Sequence, residues 1–196
     1  MNRTVKALAL ITILFSFQST TLAQLKLPVS SASIASDIRK VIEDYPNQFM
    51  NLQGELLVEH PQSADYACNF NVKGAEAATV TIYSAKHHNV VSWQALMLTT
   101  DDFETAKKKF RALYSQMNNL AVQPSAGRTY HLKGDFEAPA EEKKFTSILF
   151  SIGAEDALKK LKVELVMVYE PMEWKIKLLV YDREREDDER GSIIEE

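Results

Sequence analysis

In two stretches of the chain, apolar side chains return every three or four positions, the spacing that gathers them on one face of an α-helix. Ile34, Ile38, Val41, Ile42 and Tyr45 form the first stripe. Ser31 and Ser33 stand just ahead of it, where a hydroxyl can accept a backbone N–H left open at a helix start. Pro46 sets its end, because proline disfavours helical geometry in the residue before it. Phe103, Ala106, Phe110, Leu113, Tyr114, Met117 and Leu120 form the second stripe. Asp101, with Glu104 three residues later, predicts a capping box that puts acids at the positive end of the helix dipole. Lys107, Lys108, Lys109 and Arg111 fall mostly off the stripe and read as its solvated face.

Elsewhere the period drops to two, the mark of strands with one buried side. Strands are predicted over residues 55–59, 66–72, 79–84 and 90–98 before the second helix, and over 128–133, 145–152, 161–169 and 174–181 after it. The last two make the clearest hairpin. Leu161, Val163, Leu165, Met167 and Tyr169 alternate with polar neighbours, as do Trp174, Ile176, Leu178 and Val180. Glu170-Pro171-Met172-Glu173 between them fits a turn, with proline presetting a central backbone angle. Val166, Val168 and Leu179 make the other face partly apolar too, which predicts cover on both sides. The expected fold is α+β, a largely antiparallel sheet with two amphipathic helices packed on it. The order also allows two helix-plus-strands units. The glycine-led segments 74–78 and 153–157 resemble each other, but their offset differs from that of the helices, so a simple duplication does not line up.

The N-terminus changes the picture of where this domain works. Arg3 and Lys6 precede an apolar run over residues 7–15, a polar stretch follows, and Thr21-Leu22-Ala23 supplies a small residue at a cleavage position. That is signal-peptide anatomy, and the run is far short of the ~20 apolar residues of a membrane span. Residues 1–23 are therefore expected to be a signal peptide, 24–181 a single α+β domain, and 182–196 an acidic, disordered tail. The mature chain is expected to be exported, to a periplasm or to the medium, with no transmembrane segment. Cys68 is the chain's single cysteine, so no internal disulfide forms and packing must hold the fold. Its strand-like surroundings read as core. The net charge is −4, and the stretch from residue 182 onward holds most of the acidic excess. A nearly neutral body has no broad positive field, which argues against nucleic-acid binding.

Candidate chemistry is sparse. The chain has no glycine-rich nucleotide loop, no Gly-x-Ser-x-Gly elbow and no His-Glu-x-x-His pair. His87 and His88 read as turn residues, and neighbours on extended backbone point to opposite sides, which is poor geometry for a shared metal. His60 reads as a strand end and His131 as an outward strand residue; a Cys68–histidine nucleophile pair has no local motif behind it. Trp93 and Trp174 alternate with aliphatic residues and read as core. Segments 124–127 and 134–144 are the loops expected to border a cleft or a partner surface. No catalytic, cofactor-binding or metal-ligating residue is assigned, and no cofactor is implied. The function expected is an exported module that binds a protein or an envelope component. Its alternatives are a carrier of a small apolar ligand, or an enzyme with an unfamiliar site.

Overall fold

The computed structural model describes residues 33–84, 89–124, 127–153 and 158–183. All lie in one compact unit, Ala32–Glu196. The expected signal peptide, Ser31, His87 and His88, segment 154–157 and the tail beyond residue 183 lie outside the described residues.

Helix α1 spans Ile34–Asp44 and is capped by Ser33, whose hydroxyl accepts the Ser36 N–H at 3.1 Å while the Ser36 hydroxyl accepts the Ser33 N–H at 3.1 Å. Two otherwise open donors are thus satisfied reciprocally. Ile38, Val41 and Ile42 are buried. At Pro46 the chain tightens into a 3-10 turn, Tyr45–Asn47, and then reverses through Gln48 and Phe49 at φ 55° and 56°. Phe49 accepts that backbone because its ring is fully buried and meets Tyr45 edge-on at 6.0 Å.

Helix α2 spans Phe103–Met117. Its cap is Asp102, not the expected Asp101: the Asp102 carboxylate accepts from Glu104 N at 3.1 Å and from Thr105 N at 3.2 Å. Asp102 is the last residue with extended backbone, so only its oxygens reach the open N–H groups, and Asp101 is left exposed. Ala106, Phe110, Leu113 and Met117 are buried. Leu120 is also buried but belongs to the segment after the helix, because Asn118 turns extended and Asn119 takes φ 69°.

The main sheet has seven strands: β1 Gln53–Glu59, β2 Ser63–Cys68, β3 Ala77–Ser84, β4 Asn89–Thr100, β7 Phe145–Phe150, β8 Leu161–Tyr169 and β9 Trp174–Asp182. Their order is β1-β2-β3-β4-β9-β8-β7, and every pairing is antiparallel. Two short strands, β5 Ala121–Val122 and β6 Tyr130–His131, pair separately. Each helix therefore precedes a meander, and the last strand of each meander, β4 and β9, meet at mid-sheet with Trp93 opposite Val180. The two units are unequal, four strands against three.

Most expected strands shift at their ends, and three of the shifts have a visible cause. The strand expected at 66–72 runs instead over Ser63–Cys68, because Phe70 and Val72 leave the ladder to pack on the core, and Lys73 N donates to Asp37 Oδ2 of α1 at 3.0 Å. The strand expected at 128–133 shrinks to Tyr130–His131, with an isolated bridge from Lys133 to Ser151. The third, expected at 174–181, gains Asp182, which is buried and accepts from the Tyr45 hydroxyl at 3.1 Å.

Alternate residues of β4, β8 and β9 join the buried residues of both helices in one apolar cluster that includes Trp93, Met97, Phe110, Leu165 and Leu178. α2 lies against β4, β8 and β9. The intervening positions Val166, Leu179 and Tyr181 form a second, smaller cluster. On that second face of the β8–β9 hairpin Lys162, Glu164, Val168, Lys175 and Lys177 are half-buried, so it is less covered than the face toward the helices.

Candidate interaction surface

The strands at the two ends of the sheet depart from the rest. The large apolar residues of β2, β3, β4, β8 and β9 are buried or half-buried, whereas β1 exposes Leu56, Leu57 and Val58 at 52%, 55% and 46%. These follow one another without alternation, and Glu55 and Glu59 on either side are exposed as well. The local cause lies in the β1–β2 ladder. Gly54 sits so close to β2 that a Cβ would come within 2.7 Å of the Ala67 carbonyl oxygen, and the register then slips twice between Gln53 and Val58. Slips of this kind twist a strand and break its in–out alternation.

At the other end, β7 keeps its alternation. Thr146, Ile148 and Phe150 are buried, and Phe145 and Leu149 face out at 54% and 48% exposure. Its C-terminal end is engaged by the Lys133–Ser151 bridge, so this edge is already partly closed.

Two surface notches border the 134–144 segment. The first, about 600 Å³, is lined by Tyr114, Asn118, Asn119, Lys133, Gly134, Asp135 and Ser151. Its polar groups serve each other: Tyr114 donates to Gly134 O at 2.9 Å, Gly134 N to Asn118 Oδ1 at 3.3 Å, and Ser151 Oγ to Lys133 O at 3.1 Å. The second, about 300 Å³, is lined by Asp101, Glu141, Glu142, Lys144, Tyr169 and Trp174. Lys144 Nζ rests over the Tyr169 ring, 4.4 Å from its centre. Both notches are open and carry polar or charged rims, unlike the mostly apolar enclosure that a small-molecule site presents.

The singled-out residues separate as follows. Trp93 and Trp174 are core, the latter between Phe103 and Tyr169 at 5.1 Å from each. Cys68 is half-buried against the core; its thiol donates to Phe70 O at 3.2 Å and its sulfur accepts from Trp93 Nε1 at 3.4 Å. His60 is exposed at the end of β1, and His131 is exposed with Nδ1 3.3 Å from Asn119 O. No described hydrogen bond joins Cys68 to a histidine, and among the described residues no group of three or more His, Cys, Asp or Glu side chains converges to hold a metal. No described helix is long and apolar enough to cross a membrane.

Two carboxylates are held below their ordinary range. Asp102 is lowered chiefly by the Thr105 hydroxyl, with the Glu104 and Thr105 N–H groups adding to it. Glu170 is lowered by its hydrogen bond from Lys177, at 2.9 Å, and by the positive charges of Lys177 and Lys175. Both belong to structural contacts, a helix cap and a hairpin end, so neither marks a catalytic acid.

The exposed triplet on β1 is the feature that motif reading passes over. Its signal is present in the sequence all the same: three consecutive apolar residues between two acids, in a segment too short and irregular for a fully buried strand. No protein-family model, curated protein or solved structure matches the chain.

Proposed function

We propose that this protein is a non-catalytic interaction module that works after export, binding a protein partner through the edge of a helix-backed antiparallel sheet. In this reading both amphipathic helices pack on one face of the sheet and fix it as a rigid support. The observation that carries the proposal is the placement of exposed apolar side chains on the edge strands, Leu56, Leu57 and Val58 on β1 with Phe145 and Leu149 on β7. Edge strands present unpaired backbone donors and acceptors, so apolar residues there favour pairing with another chain. The carrier alternative is less well supported, because the core is filled by Trp93, Phe49, Phe110 and Phe150 and the notches are open and polar.

Native mass spectrometry of the mature protein purified from its exported fraction tests the proposal. A second protein at fixed ratio, lost in the Leu57→Arg variant, is the expected result. A small-molecule mass excess that disappears on denaturation would instead establish the carrier.

A further inference from the structure

Building on that reading, we propose that β1 is a strand-addition site for an extended peptide segment whose apolar residues lie between two basic ones. Three observations converge. Residues 55–59 are exposed on both sides of the strand, so a partner strand gains backbone bonds along the edge and apolar contact on either face. The flanking charges are of one sign: from Gln53 to Val72 the chain has no Lys or Arg, whereas Glu55 and Glu59 bracket the triplet and Asp65 lies beside Val58 on β2. Glu55 and Glu59 are four positions apart, about 13 Å at a strand's rise, which matches two basic residues four positions apart on a paired strand.

The same charges argue against a second copy of this chain as occupant. Two β1 strands paired antiparallel about Leu57 would set Glu55 of each opposite Glu59 of the other, and like charges directly opposite destabilise a pair. Charged flanks and irregular register are the devices by which edge strands avoid their own kind. Toward a basic segment the same flanks attract, so they select the partner as well as excluding self-pairing.

The test uses an end-blocked, fluorescently labelled peptide, Ser-Lys-Val-Thr-Val-Lys-Ser, and its counterpart with Glu in place of Lys, each titrated against the mature protein at low and high salt. Because two cross-strand charge pairs change from attractive to repulsive, the Lys peptide should bind about tenfold more tightly at low salt. The preference should shrink at high salt, and N-methylation of the peptide's edge-facing amides should abolish binding. The Glu55→Lys, Glu59→Lys double variant should reverse the preference. Failure of the Lys peptide to bind at millimolar concentration, equal affinity for both peptides, or an unreversed preference in the double variant overturns the assignment. A native protein complex that survives in the double variant would leave the interaction module standing and remove β1 as its site.

Discussion

At the scale of single residues, the fold depends on a few side chains whose partners are specific. Trp93 is fully buried and its indole N–H has the Cys68 sulfur as acceptor. Cys68→Ala should therefore cost about 1–3 kcal/mol, the penalty for a buried donor left unpaired, and Cys68→Ser less, because a hydroxyl can still accept. Denaturant unfolding followed by tryptophan fluorescence measures both. Met172, 79% exposed, holds φ 66° in the β8–β9 turn, a left-handed backbone that a side chain strains. Met172→Gly should raise stability by roughly 0.5–1 kcal/mol, the relief of that strain less the entropy glycine adds to the unfolded chain. A thermal midpoint that falls would show the turn is not strained. Asp44 presents the opposite case: Oδ1 accepts from Asn47 at 3.0 Å and from Asn51, while its buried Oδ2 has no hydrogen-bond partner among the described residues.

The depressed carboxylates set a pH window at this same scale. Asp102 and Glu170 titrate below their ordinary values of 3.8 and 4.5 in the folded protein, so the unfolded chain takes up their protons first as pH falls. Their contribution is complete above those ordinary values and is lost as pH drops through the lowered folded ones. Both groups are largely exposed and the effect is correspondingly small. Asp102→Ala should lower the unfolding midpoint at pH 7 and lose most of that difference in acid, where the cap is protonated. A difference independent of pH would mean that the carboxylate charge plays no part in the cap.

Among the elements, what was legible in the sequence follows from how periodicity arises. The helical parts of both stripes and the alternation of β8 and β9 are legible because each has one side on the core over two or more turns or nine residues, while Tyr45 and Leu120 continue the stripes past the helix ends. Phe70 and Val72 continue the alternation of β2 after its ladder has ended, since packing on the core selects apolar residues whether or not a neighbouring strand is bonded. β5 has only Ala121 and Val122, too few residues for any period. The sequence pattern puts the α2 cap one position early, at Asp101, because two acids stand side by side and only the backbone angles decide between them. The edge triplet of β1 falls in an expected strand, and its three apolar residues in a row between two acids break the alternation, but the register slips after Gly54 that expose all three are visible only in the ladder. This contrast gives a prediction. Phe110→Ala, in the middle of α2 and fully buried, should cost about 3–5 kcal/mol. Leu57→Thr, on the exposed edge, should stay within about 0.5 kcal/mol. Equal losses from urea unfolding would show that Leu57 packs in the core.

For the whole molecule, the antiparallel sheet with its merged apolar cluster accounts for stability without disulfides, and the edge strands account for what is left over. A domain needing only to fold has no use for Leu56, Leu57 and Val58 on an open edge, where they invite unwanted pairing. On the proposed reading, their acidic flanks moderate that hazard and favour basic partners. Amide hydrogen exchange on the mature protein, with and without the Lys-flanked peptide, tests this most directly. The account predicts slowed exchange at the amides of Glu55–Glu59, with α2 and the 134–144 segment unchanged. Protection centred on either notch, with β1 exchanging as before, would contradict it.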